Sequence, residues 1–151
     1  MKLEHANITV SSIAKTREFL QLVFSDFRVR GGGRTEGATG THRTWEHIGN
    51  DDYYIALEQL DSPEVAERIR YQGNGVNHLA FVIEEMDDLL ARLKLQGYEP
   101  TDASALEGHP FRRRAYFIDG NDLEWEFVEY LSDQTAERNS YTSQAPDNRK
   151  V

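Results

Sequence analysis

In Leu3-Glu4-His5-Ala6-Asn7-Ile8-Thr9-Val10 the apolar Ala6, Ile8 and Val10 alternate with the polar His5, Asn7 and Thr9, and in Val76-Asn77-His78-Leu79-Ala80-Phe81-Val82-Ile83 the large Leu79, Phe81 and Ile83 alternate with His78, Ala80 and Val82. A period of two marks a strand with one buried face. Each stretch carries a His near its start, and each leads into an apolar stripe at helical spacing. After the first, Ser11 and Ser12 are placed to cap a helix over about 12 to 24 whose inner stripe is Ile13, Phe19, Leu20, Val23 and Phe24. After the second, Met86, Leu89, Leu90 and Leu93 stand at i, i+3, i+4 and i+7, and Gly97 predicts the stop. Strand and helix thus recur in one order, which predicts two modules sharing one core.

Further strands are expected behind each helix. Thr44 to Ile48 and Tyr53 to Gln59 flank the turn-forming cluster Gly49-Asn50-Asp51-Asp52 and predict a hairpin. Phe111 to Ile118 and Leu123 to Tyr130 predict a second one around Asp119-Gly120-Asn121-Asp122. Gly31 to Gly40 holds five glycines and no large apolar residue, which reads as a loop. Asp61 to Arg70 predicts a short connecting helix, and Gly73-Asn74-Gly75 a turn. The expected fold is α+β. It is a single domain over residues 1–131, with module one at 1–60, a linker at 61–74 and module two at 75–131. A polar tail, 132–151, follows, and its last fifteen or so residues are expected to be loosely held.

Composition narrows the partners. The chain has 151 residues, 38% of them hydrophobic, with seven Phe, seven Tyr and two Trp. That suffices for a core, and no run approaches the ~20 apolar residues of a membrane span. With 17 basic against 26 acidic side chains the net charge is -9, which repels nucleic acid and anionic membranes. A small-molecule substrate is the expected partner. Cysteine is absent, so a metal site would have to use His and carboxylate ligands. No signal-peptide pattern opens the chain, and a cytoplasmic location is expected.

His5 shares the polar face of its strand with Asn7 and Thr9, and His78 lies opposite Leu79 and Phe81 in the equivalent strand. If the modules pack symmetrically, the two imidazoles converge. The last strand offers two carboxylates on one face, Glu124 and Glu126, between apolar Leu123, Trp125 and Phe127 on the other. A lone His is more often an ordinary polar residue than a ligand, and an acidic strand face is as often simply solvated. The pairing of His5 with His78 in a repeated unit favours the metal reading. His47 shares a face with Trp45 and Arg43 and could line a cavity, while His42 and His109 fall in loops; the reading favoured for all three is that of ordinary surface histidines. Arg112-Arg113-Arg114 cannot all face one way, and one of them could anchor a substrate carboxylate or phosphate.

Over residues 1 to about 131 the chain resembles the vicinal oxygen chelate superfamily, which includes glyoxalase I, extradiol dioxygenases, fosfomycin-resistance proteins and bleomycin-binding proteins. The resemblance lies in the two His-bearing strand starts and in Ala115-Tyr116-Phe117-Ile118-Asp119-Gly120-Asn121 leading into Glu124-Trp125-Glu126-Phe127. It implies paired βαβββ modules whose mixed sheet curls around a metal-binding cavity. It further implies metal ligands His5, His78 and a Glu of the last strand. Counting from Tyr116-Phe117 reaches Glu126, counting from Gly120-Asn121 reaches Glu124, and Glu126 is preferred. Where glyoxalase-like members place a further Glu, this chain has Ala56. Glu58, two residues on along the same face, is then a fourth ligand, a general base or a strand-end charge.

Such a set leaves coordination positions open for substrate oxygens and suits Fe, Zn, Ni, Mn or Co. The resemblance implies a metal-dependent enzyme of the glyoxalase type, with isomerase or lyase proton transfer in which Glu58 is the candidate catalytic residue. A small extradiol-like ring-cleaving dioxygenase and a non-catalytic binder of an antibiotic or metabolite are the alternatives. A homodimer is expected, as in many members.

Overall fold

The computed structural model describes residues 3–37, 40–61, 70–72 and 74–141. The expected linker helix and the end of the tail lie outside them. Among the described residues, no helix is long and apolar enough to cross a membrane. The chain divides into two compact units, Met1–Gly73 with Asp119–Asp122, and Asn74–Ile118 with Leu123–Val151.

The first unit contains β1 (His5–Thr9), α1 (Ile13–Val23), β2 (Arg28–Glu36), β3 (His42–Gly49) and β4 (Tyr54–Leu60). Its sheet runs β1-β4-β3-β2, with β1 parallel to β4 and the other pairs antiparallel. Ile13, Thr16, Phe19, Leu20 and Val23 of α1 are buried, and the sheet meets them with Ile48, Ile55 and Leu57. The stripe read at helical spacing is therefore the core-facing one. Thr16 sits in it because its hydroxyl donates to Asp119 at 2.6 Å and accepts from the Asn121 amide at 2.8 Å.

Two local expectations change. Ser12 occupies the N-cap of α1, but its side chain makes no capping bond. Asn121 Oδ1 accepts from the Ser12 N–H and Gln59 Oε1 from the Ile13 N–H, both at 2.9 Å. The orphan donors of the first turn are thus satisfied by residues remote in sequence. The glycine-rich stretch, expected as a loop, is β2 as far as Glu36. A Cβ on Gly33 would lie 3.2–3.3 Å from the Trp45 indole, and one on Gly32 would lie 3.0 Å from the Trp45 carbonyl oxygen. The glycines let a large ring lie against the neighbouring strand, which outweighs their poor strand propensity.

The second unit contains β5 (His78–Ile83), α2 (Met86–Leu95), a 3-10 turn (Ala103–Leu106), β6 (Arg112–Ile118), β7 (Glu124–Tyr130) and α3 (Thr135–Arg138). Its sheet runs β5-β7-β6, with β5 parallel and β6 antiparallel to β7. The 3-10 turn precedes β6, so three strands stand where the module pattern has four. Neither sheet closes on itself. Gly97 (φ +82°) ends α2 in a Schellman motif, with Tyr98 N–H donating to the Leu93 carbonyl and Gly97 N–H to that of Lys94. Met86, Leu89 and Leu93 are buried with Phe117, Trp125 and Phe127.

The start of the tail is held by side-chain contacts. Arg138 lies 4.2 Å over the Tyr130 ring, and its carbonyl accepts from Arg112 at 3.3 Å. His109, expected as a surface residue, is bonded at both ring nitrogens: Nε2 pairs with the Ser140 carbonyl and Nδ1 accepts from the Phe111 N–H.

Candidate metal and substrate site

In the second unit the strand register sets the site. Glu124 is the register partner of His78 and Glu126 that of Tyr116, so period two puts all four side chains on the face away from α2. His78 Nε2 lies 3.1 Å from Glu126 Oε2, and His78 Nδ1 lies 3.6 Å from Glu124 Oε2. The second distance is ion-pair range rather than a hydrogen bond. Tyr116 donates its hydroxyl to Glu126 Oε1 at 2.8 Å and sets its ring edge-on to His78. Glu126 is buried. Both oxygens of this carboxylate are thus held, one by a phenol and one beside an imidazole.

In the first unit β1, β4 and β3 present another polar face. His5 is exposed, its Nδ1 2.9 Å from Glu4 Oε2, and its ring stacks on Tyr54 at 4.7 Å. His47 stacks on Tyr54 at 4.5 Å and touches Trp45 at 4.9 Å. Arg30 lies 4.6 Å over Tyr54. The four rings form a continuous platform, and His47 belongs to it rather than to the open surface. Next to the platform is a cavity of about 250 Å³, lined by Asn7, Thr35, Arg43, Trp45, His47, Ala56, Leu57 and Glu58.

Glu58 is fixed on that wall. Asn7 Nδ2 donates to its Oε1 at 3.1 Å, and Arg43 approaches its Oε2 at 3.1 Å. Ala56, its neighbour on the same face, is the register partner of both Asn7 and His47. The structure therefore joins His78 with Glu124 and Glu126 in one unit, and Asn7, His47 and Glu58 in the other. Among the described residues, no cluster of three or more His, Asp or Glu side chains is set around one metal position. Tyr116, Asn7, Tyr54 and Arg43 escape sequence reasoning as site partners. The available signal was face-sharing with a candidate ligand, which period two already fixes.

The arginine triplet divides as strand geometry demands. Arg113 points toward α2, and Asp87 of α2 and Glu129 of β7 accept from it at 2.5 and 3.2 Å. That hydrogen bond and charge hold the Asp87 carboxyl below its ordinary range, and Asp87 in turn raises Arg113. Arg112 and Arg114 share the face of Tyr116.

A model of the Glyoxalase/Bleomycin resistance protein/Dioxygenase superfamily matches residues 2–127. Solved structures with a similar fold include a glyoxalase family protein from Bacillus cereus, with TM-score 0.72 and 16% identity over 87% of this chain and 95% of that one. A glyoxylase/bleomycin resistance protein/dioxygenase domain from Frankia sp. EAN1pec follows at TM-score 0.68 and 21% identity, over 86% and 98%. The fosfomycin resistance protein FosX of Listeria monocytogenes, complexed with Mn(II) and sulfate, gives TM-score 0.58 and 21% identity over 92% and 98%. At these identities the likeness is one of fold. No curated protein matches the chain.

Proposed function

The chain belongs to the Glyoxalase/Bleomycin resistance protein/Dioxygenase superfamily, and from that premise we propose that it is a metal-dependent enzyme acting on a small oxygen-rich molecule. Of the ligands that the family resemblance implies, His78 and Glu126 stand together in the second unit and His5 lies in the first; the proposed reaction is proton transfer of the isomerase or lyase kind. The observation that carries the reading is the 3.1 Å separation of His78 Nε2 and Glu126 Oε2. Two ligands at roughly 2.0–2.2 Å from one ion, at near right angles, stand about 3 Å apart. The donor types and the spacing fit a divalent ion. The crystallised Mn(II) complex of FosX supports the same class of cofactor.

The surroundings support Glu126 over Glu124 as ligand. Glu124 lies farther off, 3.6 Å from the other ring nitrogen of His78. On His5 the nearby carboxylate is Glu4, 2.9 Å from Nδ1. Tyr116 holds the remaining Glu126 oxygen, so the carboxylate presents a single oxygen. When bound, a divalent ion supplies Lewis acidity to two adjacent substrate oxygens. Glu58, aimed by Asn7 and Arg43 along the cavity wall, is the proton acceptor in this scheme. Trp45 and His47 wall the same cavity.

Elemental analysis of protein purified without oxygen or chelator tests the proposal. Wild type should carry close to one divalent ion per chain, and His5→Ala and Glu126→Ala should lose it. A wild type that stays metal-free after reconstitution overturns the reading. Bound iron with oxygen uptake on catechols would replace proton transfer with ring cleavage.

A further inference from the structure

Arg112 and Arg114 occur two residues apart on β6, so their side chains leave the same face of the sheet. Both have a buried Nε without a hydrogen-bond partner, and among the described residues these are the two buried side-chain polar atoms in that state. Folded proteins rarely leave a buried donor unmatched, because its lost hydration is not recovered. Each guanidinium donates one hydrogen bond through Nη1, Arg112 to the Arg138 carbonyl at 3.3 Å and Arg114 to the Tyr116 hydroxyl at 3.4 Å, and Arg112 also lies 5.6 Å over the Tyr141 ring. Asp102 lies within electrostatic range of Arg114, but its carboxylate accepts from the Ser104 hydroxyl and N–H. Arg113, between the two, is fully engaged by carboxylates on the opposite face. In a chain of net charge -9, two guanidiniums on one face with an unused donor each are not a by-product of general basicity.

We propose that Arg114, with Arg112 beside it, anchors an oxyanion of the substrate, a carboxylate or a phosphoryl-type group. An Nε–H and an adjacent Nη–H form the planar fork that such groups accept in parallel. The anchor connects directly to the candidate ligand. Arg114 donates to the Tyr116 hydroxyl, which donates to Glu126 Oε1. An anion held by Arg114 therefore lies alongside the candidate metal ligand, and the substrate is an anionic molecule whose chelating oxygens are close to its charged end. The word substrate rests on the metal-enzyme reading; capture of the anion does not.

The test follows the arginine Nε–H resonances of the full-length, ¹⁵N-labelled protein in chelator while inorganic phosphate or acetate is added. Mn(II) binding to the same preparations is measured separately from the loss of the free-ion EPR signal. Saturable shifts of the Arg114 and Arg112 Nε–H signals are expected, with phosphate or acetate alone identifying the class of anion. Arg114→Gln should weaken anion binding roughly tenfold or more. Arg114→Lys should recover part of it, and Arg113→Gln should leave it unchanged. Nε–H signals that stay fixed at millimolar concentrations of both anions overturn the anchor. If Mn(II) still binds in that case, the metal reading stands without it. Shifted Nε–H signals in a protein that binds no Mn(II) sustain the anchor and overturn the metal reading.

Discussion

Tyr116 donates its hydroxyl to Glu126 across the β6–β7 ladder at 2.8 Å, and the two are register partners. The bond turns a flexible carboxylate into a fixed one. Tyr116→Phe should keep the fold and lower divalent-metal affinity by about 10- to 100-fold, the usual effect of removing a partner behind a ligand. Titration calorimetry with Mn(II) measures it. An unchanged affinity would mean that Glu126 needs no such support.

Glu124 and Glu126 should behave differently although they share a face. Glu126→Gln should abolish stoichiometric metal binding. Glu124→Gln should retain it with an affinity reduced by about tenfold, since it removes only the carboxylate behind His78. Equilibrium dialysis of both variants against Mn(II) distinguishes them, and the reverse order of severity would transfer the ligand role to Glu124.

What the sequence made legible was the local pattern. Period two identified β1, β5 and the two hairpins, and period 3.6 identified α1 and α2. Period two also left Glu124 and Glu126 equivalent, because residues two apart share a face. Only the placement of His78 and Tyr116 between neighbouring strands separates them. The glycine-rich stretch misled because strand propensity is low for Gly, whereas the deciding factor is the Trp45 ring on the next strand. The cap of α1 was misread for a related reason: its acceptor, Asn121, is 109 positions away from Ser12.

Gly33 should therefore resist replacement. Gly33→Val places a branched side chain against the Trp45 indole, and an overpacked contact of this kind costs about 1–3 kcal/mol. Denaturant unfolding reads the loss, and a shift in Trp45 emission reports the displaced ring. A fully stable variant with unchanged fluorescence would show that the strand tolerates a side chain there.

The Asp87–Arg113 pair gives a pH signature. Arg113 depresses the Asp87 carboxyl below its ordinary 3.8, so the folded protein binds this proton less readily than the unfolded chain. Its stabilising contribution is complete above 3.8 and fades as the pH falls through the lower folded value. Exposure of Asp87 keeps the effect small. Asp87→Asn should match wild type in melting temperature at the bottom of this window and fall below it toward neutrality. Parallel melting curves at any constant offset would exclude the linkage.

Thr16→Val should cost about 1–3 kcal/mol, because the buried Asp119 carboxylate loses its 2.6 Å donor and the Asn121 amide an acceptor. Chemical denaturation measures it.

The Asp119–Asp122 turn joins two strands of the second sheet, yet it is counted with the first compact unit, where Asn121 closes the start of α1. The first unit is therefore a composite of two separated pieces of chain. A gene fragment ending at Gly73 would encode a helix without its cap acceptor and a buried threonine without its carboxylate. Recombination that exchanges halves between relatives must carry this short turn with the front half, so the heritable unit is interleaved rather than consecutive.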